Sequence, residues 1–125
     1  MGRKLELQPP TAGITNATTQ QDARFAVSTA RAKTGVIFVN MLENTGGVGN
    51  VDFTFWTASD TALDPNLASP SGNWVQAGTL SFTAAAGRQT KTATLSVIGD
   101  LMRYSVVIPA SNTSRFSIYV YVYDT

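Results

Sequence analysis

The chain has no histidine and no cysteine among its 125 residues, which removes the usual general base, the thiolate nucleophile and nearly all zinc and iron ligand sets. Acid–base work would fall to carboxylates. Glycoside hydrolysis needs two of them on opposite sides of the scissile bond, and Glu43, Asp52, Asp60 and Asp64 are the candidates. Glu6 lies in a proline-bearing opening segment and Glu43 beside a glycine-rich connection, so neither glutamate stands where a pocket is expected. Asp60, Asp64 and the carbonyls around Asn66 could gather a hard cation such as calcium, but the acids do not alternate as in an EF-hand and lack its distal glutamate. Turn formation through their own backbone is the simpler use of Asp60 and Asn66. The glycine-rich run from Glu43 to Asn50 would cradle a phosphate only if a helix followed, and Val51 to Thr57 reads as a strand. This inventory predicts a protein that is not an enzyme, with no cofactor, no metal and no small-molecule substrate.

The aromatic residues offer a different chemistry, that of binding. Sugar rings stack on exposed aromatics, and Trp56, Trp74, Tyr119, Tyr121 and Tyr123 are the possible platforms, Trp56 and Trp74 forming the pair for a carbohydrate-binding module. Each tryptophan also sits in or at the start of a strand, where it would equally well cap a core. The tyrosines belong to the segment Arg115 to Tyr123, which alternates strictly. Phe116, Ile118, Val120 and Val122 fall on one face, and Ser117, Tyr119, Tyr121 and Tyr123 on the other. The first face is core. The second, with its apolar rings and polar tips, predicts a contact surface.

The remaining chain must position these residues, and it reads as strands divided by turns. Short runs are expected at Phe25 to Ala30 and at Gly35 to Leu42, the latter apolar at nearly every position and so buried on both faces. Glycines between Glu43 and Asn50 favour a hairpin into Val51 to Thr57. An irregular stretch from Ala58 to Asn73 precedes strands at Trp74 to Phe82 and Arg88 to Ile98, with Lys91 placed to blunt an edge. Gly99-Asp100 turns the chain into Leu101 to Ile108, and Pro109 to Ser114 leads to the last strand. With no helical period anywhere, the fold expected is all-β, a single antiparallel β-sandwich of jelly-roll type over residues 23–125. An immunoglobulin-type sandwich lacks its Cys, Trp, Cys signature here. Residues 1–22, with Pro9-Pro10 and a polar run from Thr15 to Gln21, read as an extended N-terminal arm, either a solvated tail or a segment that orders on a partner through Leu5, Leu7 and Ile14.

Charge narrows the partners. Nine basic and eight acidic residues leave a net charge of +1, with no basic patch for nucleic acid or an anionic membrane. No apolar run reaches the roughly 18 residues of a membrane-spanning helix, and Met1 to Lys4 does not lead into an apolar signal core, so the chain is expected to be made soluble in the cytoplasm.

The succession Phe53-Thr54-Phe55-Trp56-Thr57, a loop, Trp74-Val75-Gln76-Ala77-Gly78, Gly87-Arg88-Gln89-Thr90-Lys91, Leu101-Met102-Arg103-Tyr104 and then the strand from Phe116 to Tyr123 resembles the small jelly-roll cement or decoration proteins of tailed bacteriophage capsids. The resemblance covers roughly Phe25 to Tyr123 and is one of strand layout. It implies a non-enzymatic virion protein, often a homotrimer, that sits on the outer capsid surface and ties major capsid protein subunits together. On that reading Tyr119, Tyr121 and Tyr123, with Arg103 and Arg115 beside them, form the oligomer interface, and Leu5, Leu7, Pro9, Pro10 and Ile14 the capsid contact. A phage tail or fibre module is the neighbouring possibility.

Overall fold

The computed structural model of the chain describes residues 2–11, 13–20, 27–29, 32–45, 49–58, 74–83, 88–96 and 98–124. They form eight strands and no helix: β1 (Gly2–Gln8), β2 (Ile14–Gln20), β3 (Val27–Ser28), β4 (Thr34–Thr45), β5 (Val51–Ala58), β6 (Trp74–Phe82), β7 (Gln89–Thr94) and β8 (Leu101–Tyr123). Every pairing is antiparallel. The all-β sandwich expected from the sequence is the fold found, and a single strand organises it.

That strand is β8, 23 residues long and paired on both flanks. Along one flank β5 pairs with its first half, Ala58 opposite Leu101 through Asp52 opposite Val107, and β4 pairs with its second half, Thr45 opposite Thr113 through Thr34 opposite Tyr123. Along the other flank lie β3, β2 and β1 in turn. The first half of β8 thus belongs to a sheet with β5 and β6, the second half to a sheet with β4 and β7. Because β4 and β5 follow β8 in the same direction, the connection between them does not reverse the chain and is not the expected hairpin.

The segment from Pro109 to Ser114, expected to be a connection, is part of β8. Proline is tolerated because the ladders step around it: β5 stops at Val107, β4 starts at Thr113, and β2 passes from Thr15 opposite Thr113 to Ala17 opposite Ile108. At this corner a Cβ on Gly49 would lie 2.7 Å from Cγ of Pro109, so glycine alone lets the two backbones approach. Side-chain amides pair several buried polar groups here, though Oδ1 of Asn112 itself has no partner among the described residues. The Asn112 amide donates to Oδ1 of Asn44 (3.1 Å) and to the Gly49 carbonyl (3.2 Å), and Nδ2 of Asn44 donates to the Thr83 carbonyl (3.1 Å).

Inward residues of both sheets form one core, in which the Phe53 ring meets Phe116 edge-on at 4.9 Å and Phe82 at 5.8 Å. Phe53 and Phe116 come from different sheets, so this contact holds the layers together. β4 alternates buried and half-buried positions and is not buried on both faces as its composition suggested. β7 ends at Thr94, short of the expected Ile98, and Leu95 turns inward against Gly35. Lys91 does lie on an edge strand, and its ammonium spans to the Ser81 carbonyl of β6 (2.8 Å).

The opening segment is extended as expected, but it is paired along β8 and does not stand free. Leu7 is buried in the core, and Leu5 and Ile14 pack against it. Burying Leu7 contributes about 1.5–3 kcal/mol relative to exposure, which adds to the ladder hydrogen bonds that hold β1 along β8. Of the expected first strand, Phe25, Ala26 and Ala30 lie outside the described residues, as does the stretch 59–73 with Asp60, Asp64 and Asn66.

Asn112→Ala should lower stability by about 1–3 kcal/mol, because it takes the donor from the Gly49 carbonyl and leaves the Asn44 carboxamide oxygen only the longer hydrogen bond from Ser114 (3.4 Å) in a buried corner. Urea denaturation checks this; a midpoint unchanged from the parent would mean that the corner does not depend on the amide pair.

Candidate functional site

The alternation of β8 turns Tyr119, Tyr121 and Tyr123 to the outer face of the second sheet, opposite Phe116, Ile118, Val120 and Val122 in the core. Register then fixes their neighbours. Phe38 of β4 stands opposite Tyr119 and Val36 opposite Tyr121, while on the other flank Glu6 faces Tyr119 and Lys4 faces Tyr121. The Phe38 and Tyr121 rings meet edge-on at 5.2 Å, and the Lys4 ammonium sits 4.4 Å from the centre of the Tyr119 ring and 5.9 Å from that of Tyr121. A cation held over aromatic rings stabilises by about 0.5–1 kcal/mol at an exposed site and keeps the rings in place. Tyr119 and Tyr121 are half-buried by these neighbours and Tyr123 is 42% exposed. The result is a flat aromatic strip on the sheet surface, bordered by the open edge of β1.

Beside Tyr119 the same face carries a groove lined by the side chains of Asn40 of β4, Thr90 of β7 and Ser117 of β8, with Leu42, Arg88 and Pro10 also in its lining; Gln89, opposite the inward Met41, turns its side chain to the core side of β7. Thr90 donates to Oδ1 of Asn40 (2.8 Å), and Nδ2 of Asn40 donates to Oγ of Ser117 (3.4 Å).

The other residues singled out by sequence are dispersed. Arg103 is wholly buried on the opposite sheet, its guanidinium 4.4 Å from the centre of the Trp74 ring, so it is not a surface neighbour of the tyrosines. Its place in the first half of β8 separates it from them. Arg115 is exposed and pairs with Glu43 at 3.9 Å. Trp74, 5% exposed, is committed to a small cluster with Ala58, Trp56 and Leu101, and Trp56 donates its indole proton to Ser105 (3.1 Å). A buried ring covered by a guanidinium offers no sugar platform, which removes the Trp56 and Trp74 pair. Pro9 and Pro10 are exposed, whereas Leu5, Leu7 and Ile14 face the interior and are not available to a capsid partner as a set. Asp52 accepts a hydrogen bond from Ser81 and Glu43 pairs with Arg115, so each serves a local contact on a different strand. Among the described residues no group of three histidine, cysteine or acidic side chains gathers at a metal-binding distance.

Lys4, Val36 and Phe38, which complete the aromatic strip, were not singled out from the sequence. The signal was present in Val36 and Phe38, which alternate with Ile37 and Val39 as the tyrosines do with the β8 core residues.

No protein-family model and no curated protein sequence matches the chain. Among solved structures, it is similar to one described under "Bacillus endospore appendages form a novel family of disulfide-linked pili", at 9% identity and a TM-score of 0.46 over 99% of this chain and 89% of that one. It is also similar to PirA, at 13% identity and a TM-score of 0.40 over 98% of this chain and 93% of that one.

Tyr104 is a titratable group whose ionisation the fold perturbs. Its hydroxyl donates to Oε1 of Gln8 (2.7 Å), and burial pushes its pKa up to about 12. A raised folded-state value favours the neutral phenol in the native protein. The associated stability is complete below about pH 10, the ordinary tyrosine value, and is lost as pH rises toward 12. Urea midpoints measured between pH 9 and 11.5 should fall more steeply for the parent than for Tyr104→Phe; parallel slopes would show that Tyr104 ionises as freely folded as unfolded.

Proposed function

We propose that the protein is a non-enzymatic structural component that assembles through the outer aromatic strip of its second sheet. The observation that carries this reading is the row Tyr119, Tyr121 and Tyr123 with Phe38 and Lys4, held on a rigid strand and turned away from the core. Tyrosine and phenylalanine supply large contact area with little rotamer entropy to lose, and they are enriched at the centres of protein interfaces. The residue inventory supports the same conclusion, since the sequence contains neither histidine nor cysteine. In its specific form the reading is a capsid decoration protein that self-associates, as a trimer or another closed oligomer, and attaches to a major capsid protein of a phage head. The likeness of strand layout to such proteins supports that form. Repetition over a shell would multiply weak single contacts into firm attachment. Of the capsid-contact residues expected from sequence, only Pro9 and Pro10 keep an exposed position, so the partner contact is assigned to that bend and the adjoining edge of β1.

Tyr119→Ser combined with Tyr121→Ser should leave the fold intact and abolish self-association, as measured by light scattering at low micromolar concentration. A double variant that keeps the parent's oligomeric mass would remove the strip from the interface.

A further inference from the structure

We propose that the groove beside Tyr119, on the outer face of β4, β7 and β8, binds a saccharide. Its volume of about 510 Å³ falls within the roughly 300–1,000 Å³ common for small-molecule sites. The wall is built from neutral groups that both donate and accept: Asn40, Thr90 and Ser117. They are also held in place. Thr90 and Ser117 engage opposite ends of the Asn40 carboxamide, which fixes the plane of that amide and leaves its second Nδ2 proton and the Ser117 hydroxyl proton for a ligand. Tyr119, Leu42 and Pro10 supply apolar surface in the same groove.

A pyranose matches both halves of this lining. Its ring edge carries hydroxyls that act as donor and acceptor together, as planar amides require, and its C–H face packs on aromatic and proline surface. Among the described lining residues an anion would find a single cation, Arg88, with no second basic group and no helix terminus. Among the same residues a metal ion would find no carboxylate. The proposal does not rest on the assembly reading, since the polar wall lies on the β7 side of Tyr119, away from Tyr121 and Tyr123.

The test is a titration of the isotopically labelled full chain with maltotriose, cellotriose and trigalacturonic acid, followed through the side-chain amide resonances of Asn40 and the backbone amide resonance of Thr90. At least one trisaccharide should shift both sets of signals in a saturable way with a dissociation constant of about 1 mM or tighter. Thr90→Ala, on an edge strand, and Asn40→Ala should each keep the thermal midpoint near that of the parent and weaken binding by about tenfold. Absence of any shift up to about 10 mM of all three sugars overturns the proposal, as does binding that survives both substitutions. Light scattering of the same samples reports self-association separately, so failure of either reading is distinguishable from failure of the other.

Discussion

The structure depends on keeping one 23-residue strand hydrogen-bonded along both sides while it passes from one sheet of the sandwich to the other. A strand that turns a corner exposes backbone groups at the turn, and in a buried corner each unpaired group costs about 1–3 kcal/mol. Here the exposure is met by three devices acting together. Pro109 removes a donor where the ladder has no acceptor for it, Gly49 lets the neighbouring backbone close in, and Asn44 with Asn112 supplies side-chain partners in place of ladder bonds. The N-terminal segment completes the arrangement, because β1 and β2 run along the flank of β8 that would otherwise be a long open edge.

Periodicity made much of this legible. Strict alternation placed Phe116, Ile118, Val120 and Val122 inside and the tyrosines outside, and turn residues separated β5, β6 and the start of β8 at nearly the observed boundaries. What periodicity cannot express is which strands lie side by side. The run Glu43 to Asn50 has hairpin composition, yet β4 and β5 continue along the same partner, because a 23-residue β8 is long enough to host both. Likewise Pro109 reads locally as a break; only the stepping of three ladders at one point makes it compatible with a strand. The opening residues look too polar to fold, and their few apolar side chains matter more than their number suggests. Leu7 gains a core position only once β8 is there to receive it.

The same distinction separates the surface residues that were legible from those that were not. The tyrosine row announced itself through alternation within one strand. Arg103 sits in an equally regular strand, but Trp56 stands opposite it in the ladder and the Trp74 ring of the next strand covers its guanidinium, which is buried instead of bordering the tyrosines. Thr90 is unremarkable in sequence because polar residues on an edge strand are the common means of keeping it from aggregating, and Asn40 is a single amide in an otherwise apolar strand. Their arrangement becomes informative only through register, which sets Asn40 opposite both Thr90 and Ser117 and so orders one carboxamide from two sides.

Two uses of one face are compatible because its halves differ in kind. Toward β1 the face is a flat aromatic strip whose rings are steadied by Lys4 and Phe38, suited to a surface of matching flatness. Toward β7 it is concave and polar, lined by amides and hydroxyls whose directions are already set. Tyr119 stands at the boundary, one ring shared between a contact that buries area and a contact that reads hydroxyls. On the proposed reading the protein acts by holding other molecules, and what it would hold is decided by the shape and hydrogen-bonding character of its faces. The outer face of the second sheet is where both are most developed among the described residues, because the core behind it leaves β4 and β8 no freedom to rearrange.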